Sequence, residues 1–210
     1  SNNELGELLV CFVNTQDALI RSNKKIQSHH DELVSKVSER TKHLELYGWQ
    51  AGVKNDLNKL LLGEKTKAIL AVDIITYLSD LFGANMGVLY LTDSLNNIRY
   101  EAGYAFKKGD SFCHKIAFGE GLVGQSALEK KMVLVKKIPE NYVPIDFGIG
   151  TIQPRNVLIF PFLYDDKVIG LVEMATLHEI EGKFFHLIDV VSEPIAIAFT
   201  VEENRMKESR

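Results

Sequence analysis

The stretch Phe118-Gly119-Glu120-Gly121-Leu122-Val123-Gly124-Gln125 lies near the middle of this chain of 210 residues. Its closely spaced glycines predict a tight turn that opens a helix running from Leu122 to about Lys130. Short apolar strands are expected on either side of this unit, at 112–118 and at 132–135. The centre of the globular part therefore alternates between strand and helix.

Two hairpins flank this central unit. Their loops are expected at 93–97 and 164–167, and their paired strands at 86–91 with 98–105 and at 157–163 with 168–174. Helices are expected at 68–82, where Gly83 is a natural stop, and at 182–205. This order of elements predicts an α+β fold, an antiparallel sheet with helices packed on one face.

Residues 4–62 predict a single long helix, because no proline and no interior glycine occurs between Glu7 and Tyr47. Its apolar residues recur in steps of three and four, as in the seam of a coiled coil. The expected dimer seam consists of Leu5, Leu9, Phe12, Leu19, Asn23, Ile26, His30, Leu33, Val37 and Leu44. Polar residues in such a seam fix register and two-strandedness while weakening it, so we expect a parallel homodimer that can shift between two packings.

Beyond Leu44 the apolar stripe moves to Trp49, Val53, Leu57 and Leu60, whereas the original frame would bury Lys54 and Asn58. We therefore expect the helix to leave the seam near Gly48 and to pack against the globular part. The domains are expected at 1–62, the coiled-coil helix, and at 63–205, the globular domain.

Three motifs together resemble the GAF domains of bacterial multi-sensor signalling proteins of the histidine kinase type. They are Gly119-Glu120-Gly121-Leu122-Val123-Gly124-Gln125-Ser126-Ala127-Leu128, Val168-Ile169-Gly170-Leu171-Val172-Glu173 and Ile195-Ala196-Ile197-Ala198-Phe199. The resemblance covers about 64–200. It implies a GAF-like sheet with a small-molecule pocket on the face opposite the terminal helices, roofed by about 106–155.

The segment Glu4-Leu5-Gly6, with Phe12, resembles the second helix of a HAMP linker, the element just inside the membrane in bacterial receptors. The segment Val37-Ser38-Glu39-Arg40-Thr41 resembles the signalling helices that follow HAMP. These resemblances imply the cytoplasmic portion of an inner-membrane receptor. HAMP and transmembrane segments would precede it, and an effector such as a histidine kinase or a diguanylate cyclase would follow it.

The loop expected at 137–155 contains three prolines and is rich in apolar residues that must bury against something. It either roofs a ligand pocket or is a plain hydrophobic lid over a filled core. The residues expected at a ligand site are Tyr104, His114, Tyr142, Ile145, Phe147, Arg155, Phe160 and Glu173. A carboxylate inside the apolar strand needs a partner, so Glu173 should pair either with Arg155 or with a polar ligand group.

Composition excludes several classes of function. The formal net charge of −4 and the lack of a basic block argue against a nucleic-acid partner. Two isolated cysteines, Cys11 and Cys113, form neither a disulfide framework nor a zinc motif, and we expect no metal. No apolar run is expected to be long enough to span a bilayer.

These observations predict a sensor and relay module that is not itself an enzyme. No cofactor is evident, and an unknown small molecule is the expected ligand. The first alternative is a ligand-free GAF module that serves dimerisation and transmission. The second is a GAF-type methionine sulfoxide reductase, which would need several pocket cysteines cycling through a disulfide, whereas Cys113 is the only cysteine in the globular domain.

Overall fold

The computed structural model describes residues 2–107, 115–136, 138, 144–146 and 150–208. The helices are α1 (Asn2–Leu61), α2 (Lys67–Phe82), α3 (Gly121–Glu129) and α4 (Gly182–Glu208). The strands are β1 (Met86–Thr92), β2 (Asn97–Tyr104), β3 (Lys115–Ala117), β4 (Val133–Val135), β5 (Ile145–Asp146), β6 (Thr151–Ile152), β7 (Asn156–Tyr164) and β8 (Lys167–Thr176). The described chain forms two compact units, Ser1–Trp49 and Gln50–Arg210.

The first unit is helical and belongs to α1, as the absence of helix breakers predicts. Polar pairs one turn apart stabilise its surface, for example Lys36 Nζ with Glu32 Oε1 at 2.6 Å. Six apolar side chains of the expected seam whose exposure is described are more than half exposed in the single chain: Phe12, Leu19, Ile26, Leu33, Val37 and Leu44. The unit therefore presents an apolar stripe to solvent.

The second unit is built on an antiparallel sheet with strand order β3-β2-β1-β8-β7-β4 among the described residues. Helices α2 and α4 pack on one side, which we call the α2/α4 face. Helix α3 packs on the other side, the α3 face, together with Ile145 of β5. The expected α+β fold with an antiparallel sheet is confirmed. The helices do not all share one face as expected, because α3 lies on the sheet face opposite α2 and α4.

The turns form where the sequence predicts them. Thr66 caps α2, and Gly83 ends that helix in the left-handed conformation with φ 64°. The β7–β8 hairpin turns through Asp165 and Asp166, whose φ angles are 49° and 59°. Two positive φ angles in succession suit the right-handed twist of the paired strands.

The central glycine motif forms the turn between β3 and α3. Gly119 and Gly121 take φ angles of 85° and 61°, and the Glu120 carboxylate accepts a hydrogen bond from the Ala117 amide at 2.9 Å. A Cβ on Gly124 would lie 2.3 Å from the Ala117 carbonyl oxygen. Only glycine therefore permits α3 to approach β3 this closely.

The last turns of α1 belong to the second unit, where Val53 and Leu57 are buried, as the shifted apolar stripe predicts. Among the described helices, α4 has the length and the apolar composition that a membrane span requires. The sequence expectation that no segment reaches that length was wrong in this respect. Leu187, Val191 and Ile195 of α4 are fully buried in the fold.

Candidate functional site

The α3 face combines an apolar cluster with a few buried or half-buried polar groups. Its apolar part includes Val88, Ile98, Val157, Ile159 and Leu171 of the sheet. From the other side it is covered by side chains of α3, Val123 and Ala127, and by Ile145 of the expected roof. Ile145 is 1% exposed, so this part of the roof buries against the sheet as expected.

Glu173 lies on the α3 face because β8 pairs it with Val88 on one side and with Ile159 on the other. Residues directly opposite each other in an antiparallel pair point to the same face. The hydroxyl of Tyr90, in β1, donates a hydrogen bond to Glu173 Oε2 at 2.9 Å. The carboxylate therefore has a neutral donor from the neighbouring strand.

The expected ion pair between Arg155 and Glu173 is not formed. Arg155 is exposed, and its Nη2 lies 3.4 Å from Glu179 Oε1. The register explains this: Ile159 is opposite Glu173, and Arg155 lies four residues earlier in the chain. At ~3.3 Å per residue the two positions are about 13 Å apart along the strands.

Two other expected site residues lie on the wrong face. Phe160 is fully buried on the α2/α4 face, where its ring stacks with Phe82 of α2 at a centroid distance of 6.1 Å. Tyr104 is opposite Gly87, and a Cβ on Gly87 would meet Ser79 and Ile75 of α2. Both positions are therefore separated from Glu173 by the sheet. His114, Tyr142 and Phe147 lie outside the described residues.

The sequence reasoning missed two tyrosines on the α3 face, Tyr90 and Tyr100. They stand opposite each other in the β1–β2 pair, which includes a bulge next to Tyr90. Burial raises the pKa of the Tyr100 hydroxyl above its usual value, so it is a neutral hydrogen-bonding group at physiological pH. The sequence did contain a signal for Tyr90. Met86, Val88 and Tyr90 are spaced two residues apart along β1, so their side chains share one face of the sheet.

A carboxylate and two phenol hydroxyls in an apolar cluster can orient a small polar molecule by hydrogen bonds. No group of three or more His, Cys, Asp or Glu side chains that could hold a metal ion occurs in the part of the chain that the structure describes.

Two cavities have walls made of described residues, and most of their lining lies away from the α3 face. The first, of about 680 Å³, is bounded by the end of α1, the linker to α2 and one side of α4. We call it the terminal-helix groove. The second, of about 490 Å³, lies beside the β1–β2 turn and carries charged side chains, including Lys67, Glu101, Lys167 and Glu203.

The charged cavity is largely neutralised within the chain. Lys67 Nζ lies 3.4 Å from Glu101 Oε2, and Lys207 Nζ lies 2.7 Å from Glu203 Oε1. The hydrogen bond from Lys207, with the nearby Lys167 and Lys67, lowers the pKa of Glu203. These two ion pairs neutralise four of the charged side chains that line the cavity.

An antiparallel sheet with two long helices on one face and a short helix on the other is the architecture of a class of sensor and regulatory domains. A family model described as GAF domain matches residues 64–200. The chain therefore belongs to the GAF domain family. No curated protein matches the chain.

Solved structures give the same fold at low sequence identity. The GAF domain of a phosphoenolpyruvate-protein phosphotransferase from Coxiella burnetii is 12% identical, with TM-score 0.61, covering 77% of this chain and 97% of that chain. The GAF domain of A. aeolicus nlh2 in an inactive state is 18% identical, with TM-score 0.55, covering 74% and 98%. Free methionine-R-sulfoxide reductase from Neisseria meningitidis, solved with its substrate, is 16% identical, with TM-score 0.57, covering 74% and 91%.

Proposed function

We propose that this chain is the sensor and relay section of a dimeric bacterial receptor of the two-component type, located on the cytoplasmic side of the inner membrane. Helix α1 joins two protomers in a parallel coiled coil and connects an upstream HAMP segment to the GAF domain. The GAF domain binds a small molecule on its α3 face. Helix α4 transmits the resulting shift in conformational equilibrium to a downstream effector, either a histidine kinase or a diguanylate cyclase.

The observation that carries this proposal is the apolar stripe of α1. Leu33 and Leu44 are 61% and 71% exposed, and they recur at heptad spacing with four further apolar residues. A regular apolar stripe of this length on a single helix is stabilised by a second helix. In the last turns of the same helix, Leu57 is fully buried in the GAF unit. A movement of α1 would therefore displace side chains that are packed in that unit.

The GAF unit also links the end of α1 to α4 by polar contacts. Lys65 Nζ donates to the Leu60 carbonyl oxygen at 2.7 Å and to Asp73 Oδ2 at 2.6 Å. Arg205 of α4 donates to the Lys65 carbonyl oxygen at 3.4 Å and contacts Glu202 at 2.9 Å. The segment after α1 is thus connected to the exit helix, which favours a relay over two independent modules.

The mass of the purified chain under native conditions tests both parts of the proposal. We expect a dimer, and we expect Leu33→Lys to raise its dissociation constant at least about tenfold, because the substitution buries a charge in the seam. Ser35→Lys is the matched control, since it adds the same charge away from the seam. A monomeric wild-type chain would refute the coiled coil.

The ligand part has its own readout in the same spectra. A reproducible extra mass that is lost on denaturation would give the formula of the bound molecule, and Glu173→Gln should reduce its occupancy. A clean apo dimer that no metabolite stabilises would favour the alternative, a ligand-free module for dimerisation and transmission.

The reductase alternative rests on likeness of fold alone. It requires thiol-dependent turnover of free methionine sulfoxide that Cys113→Ser abolishes. We expect no such turnover.

A further inference from the structure

The charged cavity beside the β1–β2 turn has an apolar floor beneath its charged rim. Leu91 and Phe199 line the cavity and are 6% and 3% exposed, and Ile169 adds a half-buried side chain. The volume of about 490 Å³ falls within the range of pockets that hold small molecules. An apolar floor with a few polar groups at the rim is the usual lining of such pockets.

Four different elements each bring one cation to this cavity. The cations are Lys67 of α2, Arg99 of β2, Lys167 of β8 and Lys207 of α4. The carboxylates in the lining are those of Asp93, Glu101 and Glu203, which leaves a formal charge of +1. The hydrogen bond from Lys207, followed by the charges of Lys207, Lys167 and Lys67, lowers the pKa of Glu203. The cavity therefore has a positive potential that favours an anion.

The rim has hydrogen-bond donors that the described chain does not use. Neither Lys67 nor Lys167 donates a hydrogen bond to another described residue, and Lys67 Nζ stays 3.4 Å from Glu101 Oε2. Each ammonium group carries three N–H donors. Arg99 donates from Nε to Asp93 Oδ2 at 2.9 Å, so the two amino groups of its guanidinium are available.

A phosphate monoester matches these donors better than a carboxylate does. It carries close to two negative charges at neutral pH and three strong acceptor oxygens, whereas a carboxylate has one charge and two oxygens. An arginine can bind two phosphate oxygens at once. The long Lys67–Glu101 pair is exposed, and such pairs contribute little, so Lys67 can turn towards an anion at small cost.

We infer that the charged cavity is a ligand site, separate from the α3 face, that binds a small organic phosphate with an apolar substituent. The phosphate group contacts Lys67, Arg99 and Lys167, and the substituent lies against Phe199. The site depends neither on the proposed dimer nor on a ligand at Glu173. Because Lys207 belongs to the last turn of α4, a phosphate there also ties the end of the exit helix to the sheet.

Titration of the full chain with phenyl phosphate at low ionic strength, followed by calorimetry, tests the site. We expect saturable binding of one molecule per chain, weakened at least about fivefold by Lys167→Gln and by Lys67→Gln. Lys54→Gln is the matched control, because this exposed lysine lines the terminal-helix groove and also donates to no described residue. It should change the affinity less than about twofold. Equal weakening by all three substitutions would mean general electrostatic attraction and would overturn the site.

Two further probes test the chemical class of the ligand. Benzoate retains the ring but has a smaller charge, and inorganic phosphate retains the charge but has no ring. Phenyl phosphate should bind at least about fivefold more tightly than either. Benzoate binding as tightly as phenyl phosphate would overturn the phosphate assignment. Binding of phenyl phosphate seen neither by calorimetry nor as a rise in melting temperature would overturn the site itself.

Glu173→Gln distinguishes this site from the α3 face. Glu173 is not among the residues that line the charged cavity, so this substitution should leave the affinity for phenyl phosphate within about twofold of the wild type. A larger change than that caused by Lys167→Gln would place the phosphate on the α3 face and overturn the inference. Loss of the proposed α3-face ligand, with phenyl phosphate still bound, would refute that part of the proposed function alone.

Discussion

The hydroxyl of Tyr90 donates to Glu173 Oε2 at 2.9 Å, across two neighbouring strands and 83 residues of sequence. Tyr90 is 3% exposed and belongs to the apolar cluster of the α3 face. A carboxylate beside such a cluster loses hydration, and a donor from the protein offsets part of that cost. The pair is thus both a structural element and the polar feature of the proposed ligand site.

Removing this donor should destabilise the fold. We expect Tyr90→Phe to lower the free energy of unfolding by about 1–2 kcal/mol, because it leaves the Glu173 carboxylate short of a hydrogen bond. Urea unfolding measures the change. Tyr164→Phe is the matched control, since that tyrosine is 44% exposed, and its effect should stay within about 0.5 kcal/mol. Equal effects of the two substitutions would contradict a stabilising role for the pair.

The close approach of Gly124 to β3 gives a second prediction. Alanine at a helix position normally gains up to about 1 kcal/mol over glycine. At Gly124 the new Cβ would lie 2.3 Å from the Ala117 carbonyl oxygen, and backbone cannot move aside cheaply. We therefore expect Gly124→Ala to lower the free energy of unfolding by about 1–3 kcal/mol in spite of the helix preference.

Gly182→Ala provides the comparison for Gly124, because a Cβ there meets nothing within 4 Å at the start of α4. It should be neutral or slightly stabilising in the same thermal or urea unfolding experiment. If Gly124→Ala behaves like Gly182→Ala, the packing of α3 on β3 is looser than described.

Local signals in the sequence were sufficient for the order of elements. Glycine at the end of α2, the two hairpin turns and the glycine motif before α3 each specify a backbone conformation within a few residues. The short pair β5–β6, Ile145 with Ile152, was not foreseen within the loop expected at 137–155. Two-residue strands carry too little periodicity to be recognised.

The candidate site was harder to predict because β7 is buried on both sides. Seven consecutive residues from Asn156 to Phe162 are buried, so hydrophobic alternation does not distinguish the two faces. Phe160 was therefore assigned to the wrong face. The sequence also did not reveal the hydrogen-bond partner of Glu173, because Tyr90 lies next to Glu173 only through the pairing of β1 with β8. Strand register depends on the whole sheet and not on residues that are adjacent in the sequence.

The β1–β2 turn should be sensitive to acid. Asp93 accepts hydrogen bonds from the Asn97 and Leu95 amides and from Arg99. The bond from the Asn97 amide, followed by that from Arg99, holds the pKa of the Asp93 carboxyl well below its usual range. A lowered folded-state pKa means that the stabilisation is present above the unfolded value, about 3.9, and is lost as pH falls through the folded value.

We accordingly expect Asp93→Asn to lower the melting temperature at neutral pH, and the difference from the wild type to shrink as pH falls below about 4. Melting curves at a series of pH values measure this. Arg99→Gln removes one of the groups that keep the pKa of Asp93 low, so the acid-induced loss should be smaller in that variant and complete at a higher pH. A difference between Asp93→Asn and the wild type that is constant with pH would contradict this role of the carboxylate.

The polar residues in the α1 seam should weaken the proposed dimer in return for fixed register. Asn23 occupies a seam position, and its replacement by valine exchanges a polar side chain for an apolar one suited to that layer. We expect Asn23→Val to stabilise the dimer by roughly 1–3 kcal/mol, because a polar amide is no longer buried. The dependence of the melting temperature on protein concentration reports this change.

Asn14→Val makes the same substitution on α1 two residues after the seam residue Phe12, where the side chain is exposed and outside the seam. It should leave the dimer unchanged. Stronger dimerisation by Asn23→Val alone would mean that the natural seam is held below its attainable stability. A helix pair of that kind has two packings close in free energy, and a signal of a few kcal/mol can shift it between them. Equal behaviour of the two variants would remove Asn23 from the seam and, with it, this account of how α1 transmits a signal.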